Sequence, residues 1–121
     1  GEATPQPVVE AFAAEAPLAM KALFLLTAVV VAPLCEEFLF RGVLYGVLKR
    51  FGERIFAAVI SSLVFAVIHL HVPGLAPLFL LALALCVAYE LTGCLWVPVA
   101  MHAIFNAFNL GLMWTQGIEG G

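Results

Sequence analysis

The chain has 121 residues, 64% of them hydrophobic and 11% charged, with a formal net charge of −3 and a mean hydropathy of +1.12. Soluble domains are nearer 45–50% apolar and about 25% charged, and a chain this short buries only about 60–70% of its surface. The surplus apolar surface therefore calls for lipid, while the small net charge and the lack of a basic stripe argue against a nucleic-acid partner.

Taken in order, Gly1 to Pro7 is polar and contains proline, the composition of a frayed end. Val8 to Ala16 mixes apolar residues with Glu10 and Glu15 and reads as a short interfacial helix. Residues 1–16 are thus an N-terminal segment, 17–115 a core and 116–121 a loose, Gly-rich tail. Pro17 suits the first turn of a helix, and Leu18 to Val31 is apolar but for Lys21, which can snorkel. Pro33 is expected to bend or end that helix. A second helix runs from about Leu34 to Arg50, with Gly52 marking the turn. Ile55 to Leu70 is the third helix, His71-Val72-Pro73-Gly74 a turn, Ala76 to Glu90 the fourth helix, and Trp96 to about Trp114 the fifth. Trp96 and Trp114 fall near helix ends, as interfacial aromatics do. There is no repeat and no strand-like alternation.

Each apolar run is shorter than the roughly 20 residues of a lone span. Five in series with almost no polar connecting sequence predict an all-α fold, a polytopic transmembrane helix bundle of about five helices. The three cysteines, Cys35, Cys86 and Cys94, lack Cys-x-x-Cys spacing and read as small apolar residues rather than a disulfide framework. Val29 to Cys35 faintly resembles a signal segment before a lipoprotein cysteine, but Pro33 and Leu34 stand where small residues are required.

The informative residues are polar ones in apolar helices, where charge is costly. In Glu36-Glu37-Phe38-Leu39-Phe40-Arg41, Glu37 and Arg41 are i and i+4 with the acid first, the better ion-pair order. Glu36 lies about 100° round the helix and is left free as a general base; the alternative is a charge cluster that only joins helices. Phe65 and His69 share a face at i, i+4, and so do His102 and Asn106, with Asn109 continuing that face. Singly, His69 reads more often as a satisfied core or interface residue, and the His102–Asn106 face equally well as helix packing. Jointly, an acid, two imidazoles and an amide on three helices are the parts needed to hydrolyse an amide with water. No Ser or Cys is paired with a His for nucleophilic attack, and there is no His-Glu-x-x-His. Glu36, His69 and His102 also offer three donors for zinc with water in the fourth place.

Counting from the 51–54 turn puts Glu36 and His69 at similar depth, roughly 21 Å away. His102, about eight residues past the 92–94 turn, falls short of that level at roughly 12 Å, with Asn106 about 6 Å deeper. The helices must tilt, or a turn must sink, for the faces to meet.

Glu36-Glu37-x-x-x-Arg41, Phe65-x-x-x-His69 and His102-x-x-x-Asn106, on successive apolar helices, resemble the three motifs of the CPBP intramembrane proteases, which include the CAAX prenyl endopeptidases and the bacterial Abi-type proteins. Gly42 and Thr92-Gly93-Cys94-Leu95-Trp96 resemble the family's surroundings, and the resemblance covers about Val30 to Leu110. It implies an endopeptidase of the bacterial inner membrane that cleaves a peptide or protein substrate with an activated water. Glu36 would be the base, His69 would orient the water, and His102 with Asn106 would form the oxyanion site. Glu37, Arg41 and Phe65 would support them. The family is called metallopeptidase-like, so a divalent metal and a glutamate acting alone both stay open. A non-catalytic immunity or scaffold protein holding a membrane peptide in the same cavity is the alternative, and a small ion-binding bundle a third reading. Lys49, Arg50 and Arg54 place the 49–54 turn on the cytoplasmic side.

Overall fold

The computed structural model describes residues 15–119, all in helices and short connections, with no strand among them. Residues 1–14 lie outside the described part, and with them almost all of the expected interfacial helix. Four helical rods follow: α1 Leu18–Phe51, α2 Arg54–Ile68, α3 Leu75–Thr92 and α4 Trp96–Glu119. A single 3₁₀ turn, Val72–Gly74, leads into α3. Connections of so few residues make successive helices antiparallel neighbours.

Two expectations are corrected. Pro33 does not divide the first two helices, so four rods stand where five are expected. Its ring removes an N–H and crowds the carbonyl one turn back. The chain accommodates this with a π-helical stretch, Thr27–Val31, in which the Ala32 N–H reaches back to Thr27 O. That wider turn carries the proline inside one continuous rod. A second π stretch, Phe38–Tyr45, follows the acidic pair. Such i→i+5 segments are rare and cluster at functional sites. The last helix also runs past Trp114 to Glu119, into the residues expected to be loose.

α1, Val72–Thr92 and Trp96–Gln116 are each long and apolar enough to cross a membrane, while Arg54–Ile68 is apolar but shorter. The chain is an integral membrane protein with its polarity inverted. Large apolar side chains such as Leu23, Phe38, Ile55, Leu80 and Ile104 are exposed, whereas Glu37, Arg41, Ser61, Ser62 and His102 are buried. α2 and α3 approach closely on small residues, with Ala57, Ser61, Ser62 and Ala66 facing Ala82 and Cys86. In lipid this close approach replaces the hydrophobic drive to pack. The cysteines are free; Cys86 is buried and Cys35 and Cys94 are exposed.

Two polar clusters mark the ends of the bundle. At one, Lys21 Nζ stands over the Trp114 ring, 5.4 Å from its centroid. At the other, Glu90 on α3 accepts from Tyr45 Oη at 2.7 Å and pairs with Lys49 at 3.1 Å and Arg54 at 3.2 Å. Glu90 is the single acid of α3, and these three donors tie α1 and the start of α2 to it.

α2 ends abruptly behind His69. Leu70 has φ 52°, a conformation costing an ordinary residue about 1–2 kcal/mol, and its side chain is 89% exposed, so packing does not offset the strain. Leu70→Gly removes the strain and returns about 0.4–1 kcal/mol of it as unfolded-chain entropy. The expected result is a modest rise in thermal midpoint in detergent. A fall would mean that the Leu70 side chain holds the turn.

Candidate functional site

The acidic pair of α1, the end of α2 and the middle of α4 meet at one place. Glu37 is fully buried, and its Oε1 accepts from Arg41 Nη1 at 3.2 Å and from His102 Nδ1 at 2.7 Å. Arg41, 1% exposed, donates a second bond from Nη2 to the Ala82 carbonyl at 2.8 Å. One acid thus holds an arginine from its own helix and an imidazole from α4, and the arginine holds α3. Breaking such a buried pair strands a charge. Glu37 Oε2 and Arg41 Nε have no hydrogen-bond partner among the described residues.

Glu36 faces the other way, with its side chain 28% exposed. Its Oε2 lies 3.2 Å from His102 Nε2 and its Oε1 lies 3.7 Å from His69 Nε2. The imidazole of His102 therefore bridges the two acids, one on each nitrogen. The carboxylate of Glu37 accepts the Nδ1 proton. His69 Nδ1 lies 2.6 Å from Phe65 O. A carbonyl only accepts, so Nδ1 carries a hydrogen, and Nε2 faces Glu36. At 3.7 Å that gap is too long for a direct hydrogen bond and suits a bridging water.

Phe65, fully buried, is the floor of the site. Its ring centroid is 4.6 Å from that of His69 and 5.7 Å from that of His102. Arg41 Cζ lies 5.0 Å from it, and Phe40 meets it edge-on at 5.2 Å. Helical spacing alone puts Phe65 behind His69; the contacts make it the surface on which both imidazoles and the guanidinium rest.

The depth mismatch expected for His102 is absent, because His102 contacts both acids. Between the Lys49 level and Glu36 lies the Phe38–Tyr45 π stretch, which advances less per residue than an α-helix and shortens the climb along α1. Asn106 is the exception among the expected site residues. Its Nδ2 donates to Ala28 O on α1 at 2.8 Å, not to the Glu36–His69 gap. Among the described residues no group of three or more His, Cys, Asp or Glu side chains is arranged to hold a metal ion. The Ala82 carbonyl was not legible in the sequence, because a backbone acceptor leaves no residue-type signal. The Glu90 cluster had one, a lone acid in an apolar helix with Tyr45 and Lys49 at i, i+4.

A family model described as Type II CAAX prenyl endopeptidase Rce1-like matches residues 18–108. The chain is similar to the putative membrane peptidase YdiL of Bacillus subtilis, 29% identical over 86 residues, 71% of this chain and 35% of that protein. It is similar to the membrane-embedded CAAX protease MroQ of Staphylococcus aureus, 32% identical over 92 residues, 71% of this chain and 37% of that protein. An uncharacterized 24.3 kDa protein of Escherichia coli is 40% identical over 96 residues, 75% of this chain and 43% of that protein. The chain thus spans well under half the length of these relatives. No solved structure matches it.

Proposed function

Since the chain belongs to the Rce1-like family of type II CAAX prenyl endopeptidases, we propose that it carries the hydrolytic centre of an intramembrane endopeptidase of the bacterial inner membrane. Its substrate class is a peptide or protein reaching the site within the bilayer. The observation that carries this reading is the 3.7 Å gap between Glu36 Oε1 and His69 Nε2. Two acceptors there hold one water by both its hydrogens and leave an oxygen lone pair for a carbonyl carbon.

The chemistry follows from the partners of each group. As the water oxygen bonds to the scissile carbon, Glu36 takes a water proton. The carbonyl oxygen gains charge within reach of His102 Nε2, which can donate to it. Glu37, held by Arg41, orients that ring through Nδ1. The C–N bond then breaks, and Glu36 passes its proton to the leaving amine. A positioned proton-transfer group is worth about 10²–10⁴-fold, and one oxyanion donor about 10²–10³-fold. Phe65 and the exposed apolar helix faces keep bulk water away and strengthen these interactions. Lys49, Arg50 and Arg54 favour a cytoplasmic 49–54 turn, with the site in the opposite half of the bundle.

His69→Ala removes one of the two water acceptors and nothing buried. Full-length protein in vesicles is expected to lose about 10²-fold in cleavage rate with an unchanged melting profile. Unchanged cleavage by His69→Ala would remove the water from this gap.

A further inference from the structure

We propose that the groove between α2 and α3 at the Lys49–Arg54 end of the bundle binds one anionic phospholipid, whose phosphate meets Arg54 while one acyl chain enters the groove. The groove lies in the half of the bundle away from Glu36, and its occupant does not depend on the hydrolytic reading above.

The groove follows from how the two helices meet. They approach on small residues, with Ala57 and Cys86 buried, so the larger side chains on either side stand proud of the seam. Ala58 and Cys86 form the floor of a groove of about 190 Å³, with Ile55 on one wall and Val87 and Leu91 on the other. All three wall residues are exposed. Arg54 and Glu90 close the end. Arg54 precedes Ala58 by four residues and Glu90 follows Cys86 by four, so on each helix the charge lies one turn, about 6 Å, beyond the apolar floor. A charged rim above an apolar slot is the order in which a phospholipid presents its phosphate and its chains. Phe51 and Trp96, exposed at helix ends on this side, mark the level of the membrane interface.

The rim carries a surplus of positive charge. Lys49, Arg50 and Arg54 stand against Glu53 and Glu90, and three cations against two acids leave one positive charge over. Lys49 is turned inward: its Nζ lies 3.1 Å from Glu90 Oε2 and 4.8 Å from the Tyr45 ring centroid. Arg54 is turned outward. Its Nη1 lies 3.2 Å from Glu90 Oε1, yet its side chain is 77% exposed, and a guanidinium has five N–H donors in a fork that suits phosphate. Arg50 is exposed and pairs with no carboxylate among the described residues. An apolar helix laid over the groove would bury the Arg54 donors without partners. A phosphodiester brings acceptors and one negative charge, which the surplus balances. A zwitterionic lipid carries its own cation and gains less. Basic pockets between helices at the cytoplasmic face suit anionic headgroups for this reason.

The test uses the full-length protein in phosphatidylcholine vesicles that carry a minor fraction of phosphatidylglycerol with a photoreactive acyl chain. After illumination, mass spectrometry should find the label concentrated on Ile55, Ala58, Val87 and Leu91. Unlabelled phosphatidylglycerol should compete it away where added phosphatidylcholine does not. Arg54→Gln should weaken binding about fivefold, the worth of one cation at the membrane surface, and Arg54→Lys should restore most of it. Val87→Trp changes an exposed position, keeps every charge and should close the groove to the label. In detergent, phosphatidylglycerol should raise the thermal midpoint of the wild type by mass action and leave that of Val87→Trp unmoved. Label spread evenly over the exposed helix faces, or equal competition by the two lipids, would overturn the proposal and leave only surrounding bilayer lipid. Competition by glycerol phosphate as strong as that by phosphatidylglycerol would overturn it too, since the site would then take a phosphate and not a lipid. So would a groove without label because another part of the full-length protein covers it.

Discussion

Glu36→Gln is expected to lower peptide cleavage by about 10²–10⁴-fold, the worth of a general base, while the protein melts as the wild type does. The fold should survive because Glu36 is 28% exposed and a glutamine oxygen can still face His102 Nε2. Its neighbours are His102, which Glu37 also holds, and His69, which keeps its bond to Phe65 O. Glutamine matches the side chain in shape but accepts no proton from water. Cleavage by purified full-length protein in vesicles, alongside a circular-dichroism melt, reads both quantities. Full activity in this variant would strip Glu36 of its role.

The adjacent residue should behave oppositely. Glu37→Ala is expected to cost about 3–5 kcal/mol, the range for breaking a buried ion pair. Arg41 would keep only the Ala82 carbonyl while 1% exposed, and His102 Nδ1 would lose its acceptor. The protein should accumulate poorly and melt at much lower temperature. Removing Arg41 as well should cost less than the two single changes added together, because the stranded charge goes with it. Denaturation in detergent of the two single variants and the double tests this. A Glu37→Ala protein as stable as wild type would show that the pair does not hold the helices together. Two neighbouring glutamates would then differ only by exposure and not by work.

That division was partly legible in the sequence. Helical spacing pairs Glu37 with Arg41 and frees Glu36, and the structure places a 3.2 Å ion pair on the first and two imidazoles beside the second, half-buried acid. The motifs on α2 and α4 also named the two histidines that the structure brings beside Glu36, since a polar residue in an apolar helix is conspicuous against its background. The helix count and the depth of His102 were less legible, for one shared reason. Proline propensity predicts a break, but tertiary contacts can support a π turn that absorbs the ring, and π turns have no compositional signature. A rod shortened in that way changes every depth counted along it. The Asn106 bond to Ala28 O was not legible, because a backbone acceptor leaves no residue-type signal.

The central claim is that Glu36 activates a water to cut a peptide bond inside the membrane. Host membranes carrying the full-length wild type, or Glu36→Gln at equal abundance, can be incubated in ¹⁸O-labelled water and their peptides read by mass spectrometry. The account predicts a set of new C-termini bearing ¹⁸O that appears with the wild type and is missing with Glu36→Gln. The same labelled termini with both proteins would contradict it.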